Sequence, residues 1–220
     1  MHSDAEQLLS TGRPTWQGIG MATAPSARRI GSRDSKTRAQ LLDAAERLMG
    51  EEGYAAVTSR RVAAAAGLKP QLVHYYFRTM DDLFLELFRR GAEENIGHFE
   101  RAIAEDGSLS HLWRLNADRG GAAVTLEFVA LANHRKAIRA EIARYAERFR
   151  SAQVEAVRNA LADAGIHEDR LPAVVAVLAM TGLAQVLALE DTLGVTTGHD
   201  ITIEFVERMI TELADRSARG

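Results

Sequence analysis

The chain has 220 residues, 46% of them hydrophobic, enough to bury a core in one medium domain or two small ones. It contains no cysteine, which excludes a disulfide scaffold, a thiolate zinc site and a cysteine nucleophile and fits a reducing cytoplasm. The formal net charge of -3 argues against a general nucleic-acid binder, but the charge is unevenly spread: residues 1–80 hold 11 Lys and Arg against 7 Asp and Glu, and the remainder holds 16 against 23. That asymmetry is expected where only one end of a molecule meets phosphate, although chance also produces it.

Residues 1–33 are rich in Gly, Ser, Thr and Pro, show no sustained period and read as a mobile basic arm carrying Arg13, Arg28, Arg29 and Arg33. Such an arm can reach along DNA or simply be a solvated tail. No apolar run between Met1 and Ser26 is long enough for a signal peptide, so export is not expected and a cytoplasmic location is. From Ser35 the pattern turns helical, with Leu41, Ala45, Leu48 and Met49 on one face, and this helix should end at Gly53. Thr58 is a good N-cap for a short helix over Ser59–Ala66, which Gly67 stops. Lys69 and Pro70 open another short helix, Pro70–Phe77, where a first-turn proline is tolerated. Thr79 caps the next helix, carrying Leu83, Leu87 and Phe88 to about Ala104.

Further helices are predicted over His111–Asn116, Ala122–Asn133, Lys136–Ala164, 169–193 and 200–216, with Gly120-Gly121 as a turn. No run of alternating β-branched residues bounded by turns suggests a strand, and no internal repeat is present. The fold class is therefore all-α. There is no Gly-rich phosphate loop, nucleophile elbow or metal motif, and the histidines show no pair at helical ligand spacing, so neither catalysis, nor a metal, nor another cofactor is expected.

Within residues 36–77, three helices are joined by short turns, and Gly67-Leu68-Lys69 is the right length to set the second and third at a steep angle. In the third, Val73, Tyr76 and Phe77 should face a small core. Gln71, His74 and Tyr75, with Lys69 in the turn, should face outward, a set suited to base edges and phosphates. Helix-turn-helix units of this size also occur in proteins that never touch DNA.

The stretch KTRAQLLDAAERLMGEEGYAAVTSRRVAAAAGLKPQLVHYYFRTMDDLFLELF, Lys36–Phe88, resembles the N-terminal domain of the tetracycline-repressor (TetR) family. The likeness rests on LLDAAERLM, EEGY, VTSRRVAAAAGL, LVHYYF and DDLF. The resemblance implies an all-helical homodimer: an N-terminal three-helix DNA-binding domain over 34–80, with its helix-turn-helix at 58–77, and a variable ligand-binding and dimerisation domain over 81–220. It also implies a repressor, released from an inverted-repeat operator by a small molecule. Carried over residue by residue, it implies DNA contacts at Thr58 and Arg60, at Lys69, Pro70 and Gln71, and at His74 with Tyr75. Two positions depart from the family's pattern: His74 stands where a tyrosine is commonest, and Met80 where a lysine usually follows the recognition helix. Arg78 is a possible substitute for that lysine.

Residues 171–189 carry no charge. The run is long enough to cross a bilayer. Its alanines, its Thr181, Gly182 and Gln185 and the acids at both ends favour instead a helix buried between its own domain and a partner subunit, with no membrane partner. Ile203, Val206, Ile210 and Leu213 form a seam on the closing helix, and Val186, Val206, Ile210 and Leu213 are the expected dimer contacts in a four-helix bundle. The effector pocket should draw on Phe88, Phe99, Trp113, Phe128, Tyr145 and Phe149, with Asn95, His98, Glu127 and Gln185 as its polar members, for a hydrophobic or amphipathic molecule. Each aromatic is also an ordinary core residue, and Glu127 an ordinary paired acid.

Overall fold

The computed structural model describes residues 31–117 and 122–217. Among these, nine α-helices and no strand are present: α1 Gly31–Glu52, α2 Ser59–Ala65, α3 Pro70–Tyr76, α4 Met80–Glu105, α5 Leu109–Ala117, α6 Ala122–His134, α7 Lys136–Asp163, α8 Ala173–Thr192 and α9 His199–Ser217. The all-α expectation holds. α1 starts at Gly31, upstream of the predicted Ser35, so the end of the predicted arm is helical; the rest of that arm and the Gly120-Gly121 turn lie outside the described residues. A 3-10 turn over Tyr54–Ala56, absent from the sequence reading, fills the space between α1 and α2.

The described chain divides into two compact units. The first takes residues through Gly91 together with Ala123–Ile142; the second takes Ala92–Ala122 and everything from Ala143 onward.

The first unit is built on the predicted face of α1. Leu41, Ala45, Leu48 and Met49 are all buried, and they pack with Val62, Val73, Phe77, Leu83, Phe128 and Ile138. Gly53 ends α1 with φ +81°, a left-handed conformation that a side chain rarely adopts, and its N–H donates to Met49 O. Thr58 caps α2 as expected, its hydroxyl accepting the N–H of Arg61. Gly67, at φ +67°, closes α2 while the N–H of Leu68 reaches back to Ala63 O at 2.8 Å, and Pro70 begins α3. Thr79 and Asp82 seal the start of α4 reciprocally: the Thr79 N–H donates to the carboxylate at 3.0 Å and the Asp82 N–H to the hydroxyl at 3.1 Å. Arg90 binds Asp43 and Glu46 at 2.6 Å each, tying α4 to α1.

The second unit centres on Trp113, Leu112, Val157, Leu161, Val177 and Ile210. α8 begins after Pro172, which precedes the helix rather than entering it. The freed N–H of Ala173 donates to the Glu168 carboxylate, which also receives Nε of Arg158 at 2.9 Å. Together these bonds hold the Glu168 carboxyl below its usual range, the arginine contributing most. α8 is long and apolar enough to cross a membrane by length and composition. Here Ala173 and Val177 are buried in the unit's own core and Ala184 and Leu187 are buried too, while Val174, Val175, Leu178, Val186 and Leu189 are exposed.

Candidate nucleic-acid interface

α2 and α3 present a divided surface. Val62, Val73 and Phe77 are buried at 0%, 1% and 2% exposure, Tyr76 is half-buried, and these contacts fix the roll of α3 about its axis. The same roll leaves Gln71, His74 and Tyr75 in solvent, with Tyr75 at 71% exposure, as the period of the sequence required. Lys69 and Pro70 are exposed at the head of α3, and Thr58 and Arg60 at the head of α2. All seven residues expected to meet DNA thus lie in solvent within one unit.

Their electrostatic state differs from residue to residue. Arg61, next to Arg60, is paired with Glu52, whose carboxylate raises its pKa, and that charge is largely spent at home. Arg60, Lys69 and Arg78 carry no ion pair among the described residues, so their charge is available to an outside anion. The Thr58 hydroxyl uses only its acceptor side in capping α2 and keeps its proton to donate. Met80 is half-buried against the first core and supplies no charge. Exposed hydrogen-bonding side chains on a short helix, flanked by unpaired cations, are what a major groove and its bordering phosphates accept.

Comparison with known proteins matches residues 41–87 to the family of bacterial regulatory proteins, tetR family. That segment holds the helix-turn-helix of α2 and α3. The BetI transcriptional regulator of Rhizobium meliloti is 30% identical over 123 residues, spanning 52% of this chain and 61% of that protein. The AcrR regulator of Shigella flexneri is 32% identical over 74 residues, 34% of each chain. The chain spans about three fifths of the first relative's length and about a third of the second's. Two solved structures share its fold: a transcriptional regulator from Saccharomonospora viridis in complex with choline, with a TM-score of 0.64, 19% identity and coverage of 82% of this chain and 96% of that one, and a TetR regulator from Haloarcula marismortui at 0.65, 21%, 83% and 98%.

The residues expected around an effector fall into both units of the chain. Phe88, Glu127 and Phe128 belong to the first, where the two phenyl rings meet edge to face at 5.2 Å. Glu127 accepts the Tyr54 N–H at 2.7 Å. The other seven belong to the second unit. Phe99 meets Phe149 edge to face at 5.0 Å, Phe149 stacks on Tyr145 at 5.7 Å, and Asn95 donates to the Tyr145 hydroxyl, whose pKa burial raises. Trp113 is buried in the core, while His98 and Gln185 are exposed. A polar cluster missed in the sequence lies in this unit: Asn116 Oδ1 accepts from Gln153 at 3.1 Å and Thr181 at 3.2 Å. The readable signal was Gln153, a polar residue one turn beyond Phe149 on the buried face of α7.

Of the expected dimer residues, Val186 is exposed on α8, Val206 and Leu213 are half-buried against the second core, and Ile210 is buried in it. The exposed apolar stripe of α9 is Ile201, Phe205 and Met209, at helical spacing.

Proposed function

We propose that this chain is a transcriptional repressor that binds an inverted-repeat operator as a homodimer and leaves it when a small amphipathic molecule binds the second unit. The observation that carries the reading is the rolled α3, with Val73 and Phe77 buried and Gln71, His74 and Tyr75 exposed beside unpaired cations. A two-fold dimer supplies two such helices, and an inverted repeat mirrors that symmetry. The exposed apolar residues of α8 and α9 are the surface a second copy would cover, through Val186, Leu178, Ile201, Phe205 and Met209. A bilayer would cover the α8 face alone and would leave the α9 stripe unexplained.

Choline is the first effector to try. The fold neighbour from Saccharomonospora viridis was solved with it, and the ring faces of Phe99, Phe149 and Tyr145 can attract a quaternary ammonium.

Selection of bound fragments from genomic DNA tests the function: the chain should enrich a short inverted repeat and shift it at physiological salt. Enrichment of no discrete sequence would overturn it. Calorimetry with choline, with and without the enriched duplex, tests the effector. An effector that lowers DNA affinity must itself be weakened by DNA by the same factor, so equal affinities in the two titrations would exclude choline as the releasing ligand.

A further inference from the structure

We propose that Arg135, at the junction of α6 and α7, is a contact to the DNA backbone that supplements the helix-turn-helix. The inference rests on the reading that this unit binds DNA. It starts from a recess of the first unit lined by Tyr54, Ala55, Val57, Thr58, Ser59, Met80, Phe84 and Arg135. Thr58 places the recess at the head of α2, beside the surface expected to meet phosphate. Arg135 is the one charged residue in that lining, although it lies far from the helix-turn-helix in sequence.

The chemistry of the recess suits a phosphodiester. The Arg135 guanidinium lies over the Phe84 ring, 5.8 Å from its centroid, and its Nη1 is held by Asp81. Ring and carboxylate fix the plane of the guanidinium, and the side chain still keeps 38% of its surface in water. Its other nitrogens remain as donors. The Thr58 hydroxyl has its proton free, and Ser59 adds a second hydroxyl at the same rim. Two hydroxyls and a positioned guanidinium around a concavity recognise a phosphate oxygen by hydrogen bonds and charge. Met80 and Val57 give the recess an apolar floor that competes for no anion. Asp81 offsets part of the arginine's charge, and its main effect is to aim the fork.

The test uses the full chain and a duplex that the wild-type protein selects from a random pool. Failure to select any duplex overturns the DNA-binding reading itself. With a selected duplex in hand, the logarithm of affinity is measured against the logarithm of salt concentration for wild type, R135Q and R135K. Losing one phosphate contact should make the slope shallower by about 0.9 per subunit. R135Q should show that change, with affinity lowered evenly across single-base variants of the duplex, and R135K should restore the slope. A wild-type slope in R135Q overturns the proposal. So does a fall in affinity that accompanies a lower melting temperature at unchanged slope, which would make Arg135 a brace for α4. If R135Q fails to fold, R135M keeps the stem over Phe84 and carries the same comparison.

Discussion

The carboxylate of Glu127 on α6 accepts the backbone N–H of Tyr54, 73 residues away in sequence, at 2.7 Å. Tyr54 opens the 3-10 turn that leads into Thr58 and α2, so a helix outside the helix-turn-helix segment fixes how the chain enters it. A hydrogen bond to a charged group is worth about 1.5–3 kcal/mol. Glu127→Ala should lower the free energy of unfolding by that order, and Glu127→Gln, which keeps an acceptor, by less. Urea titration of the three proteins measures this, and equal midpoints for wild type and Glu127→Ala would show that the contact contributes nothing.

Reading of sequence and docking should separate within the interface. Gln71 carries both a donor and an acceptor near the start of α3 and can pair with an adenine edge, whereas the exposed His74 and Arg60 are the proposed backbone contacts. Gln71→Ala should relax preference at one base position per half-site, at about 1–3 kcal/mol. His74→Ala and Arg60→Ala should weaken all sites nearly equally, and Arg60→Ala should also lower the salt slope by about one unit per subunit. Binding to single-base operator variants at two salt concentrations distinguishes these outcomes, and a changed base preference in His74→Ala would reverse the assignment.

Two substitutions at apolar positions of the second unit should fail in different ways. Ile210 is 8% exposed in its own core, and Val186 is 51% exposed. An unpaired charge in an apolar setting costs several kcal/mol, roughly 2–7 for a neutral polar group and more for a charge. Ile210→Asp should therefore prevent folding, while Val186→Asp should leave a folded monomer. Sedimentation with circular dichroism reports both, and a wild-type chain that is monomeric at micromolar concentration would contradict the proposed dimer.

The Glu168 carboxyl sits below its usual range because Arg158 and the Ala173 N–H favour its charged form. Its folded pKa is depressed, so its contribution to stability is present above the pKa of the unfolded chain and is lost as pH falls through the folded value. The stability gap between wild type and Glu168→Gln should be widest at neutral pH and close in acid. A gap independent of pH would show that the carboxylate's charge is not involved.

The helix-turn-helix was legible because its caps and its buried face are written in residue types: Thr58, Gly67 and Pro70 mark ends, and Val73 and Phe77 mark the inside. Glu127 stood out as a charge within an apolar helix, but its partner is a backbone N–H, which has no side chain to read. The spacing of Ile203, Val206, Ile210 and Leu213 shows that α9 has a packed face; periodicity does not say whether the chain's own core or a second copy packs on it. Asn116, Gln153 and Thr181 come from three helices, and their convergence follows from packing that no local pattern encodes.

Gly53 has an evolutionary consequence. A Cβ added there would meet the Glu127 carboxylate at 3.2 Å, on a backbone already at φ +81°. Any side chain at that position is opposed twice, by the backbone and by the acid above it. Of the two, the backbone is the stricter, because the carboxylate is the end of a side chain that can move and the backbone at φ +81° and ψ 166° cannot suit a side chain in place. Glycine should therefore persist at position 53 in descendants that lose Glu127 as well as in those that keep it.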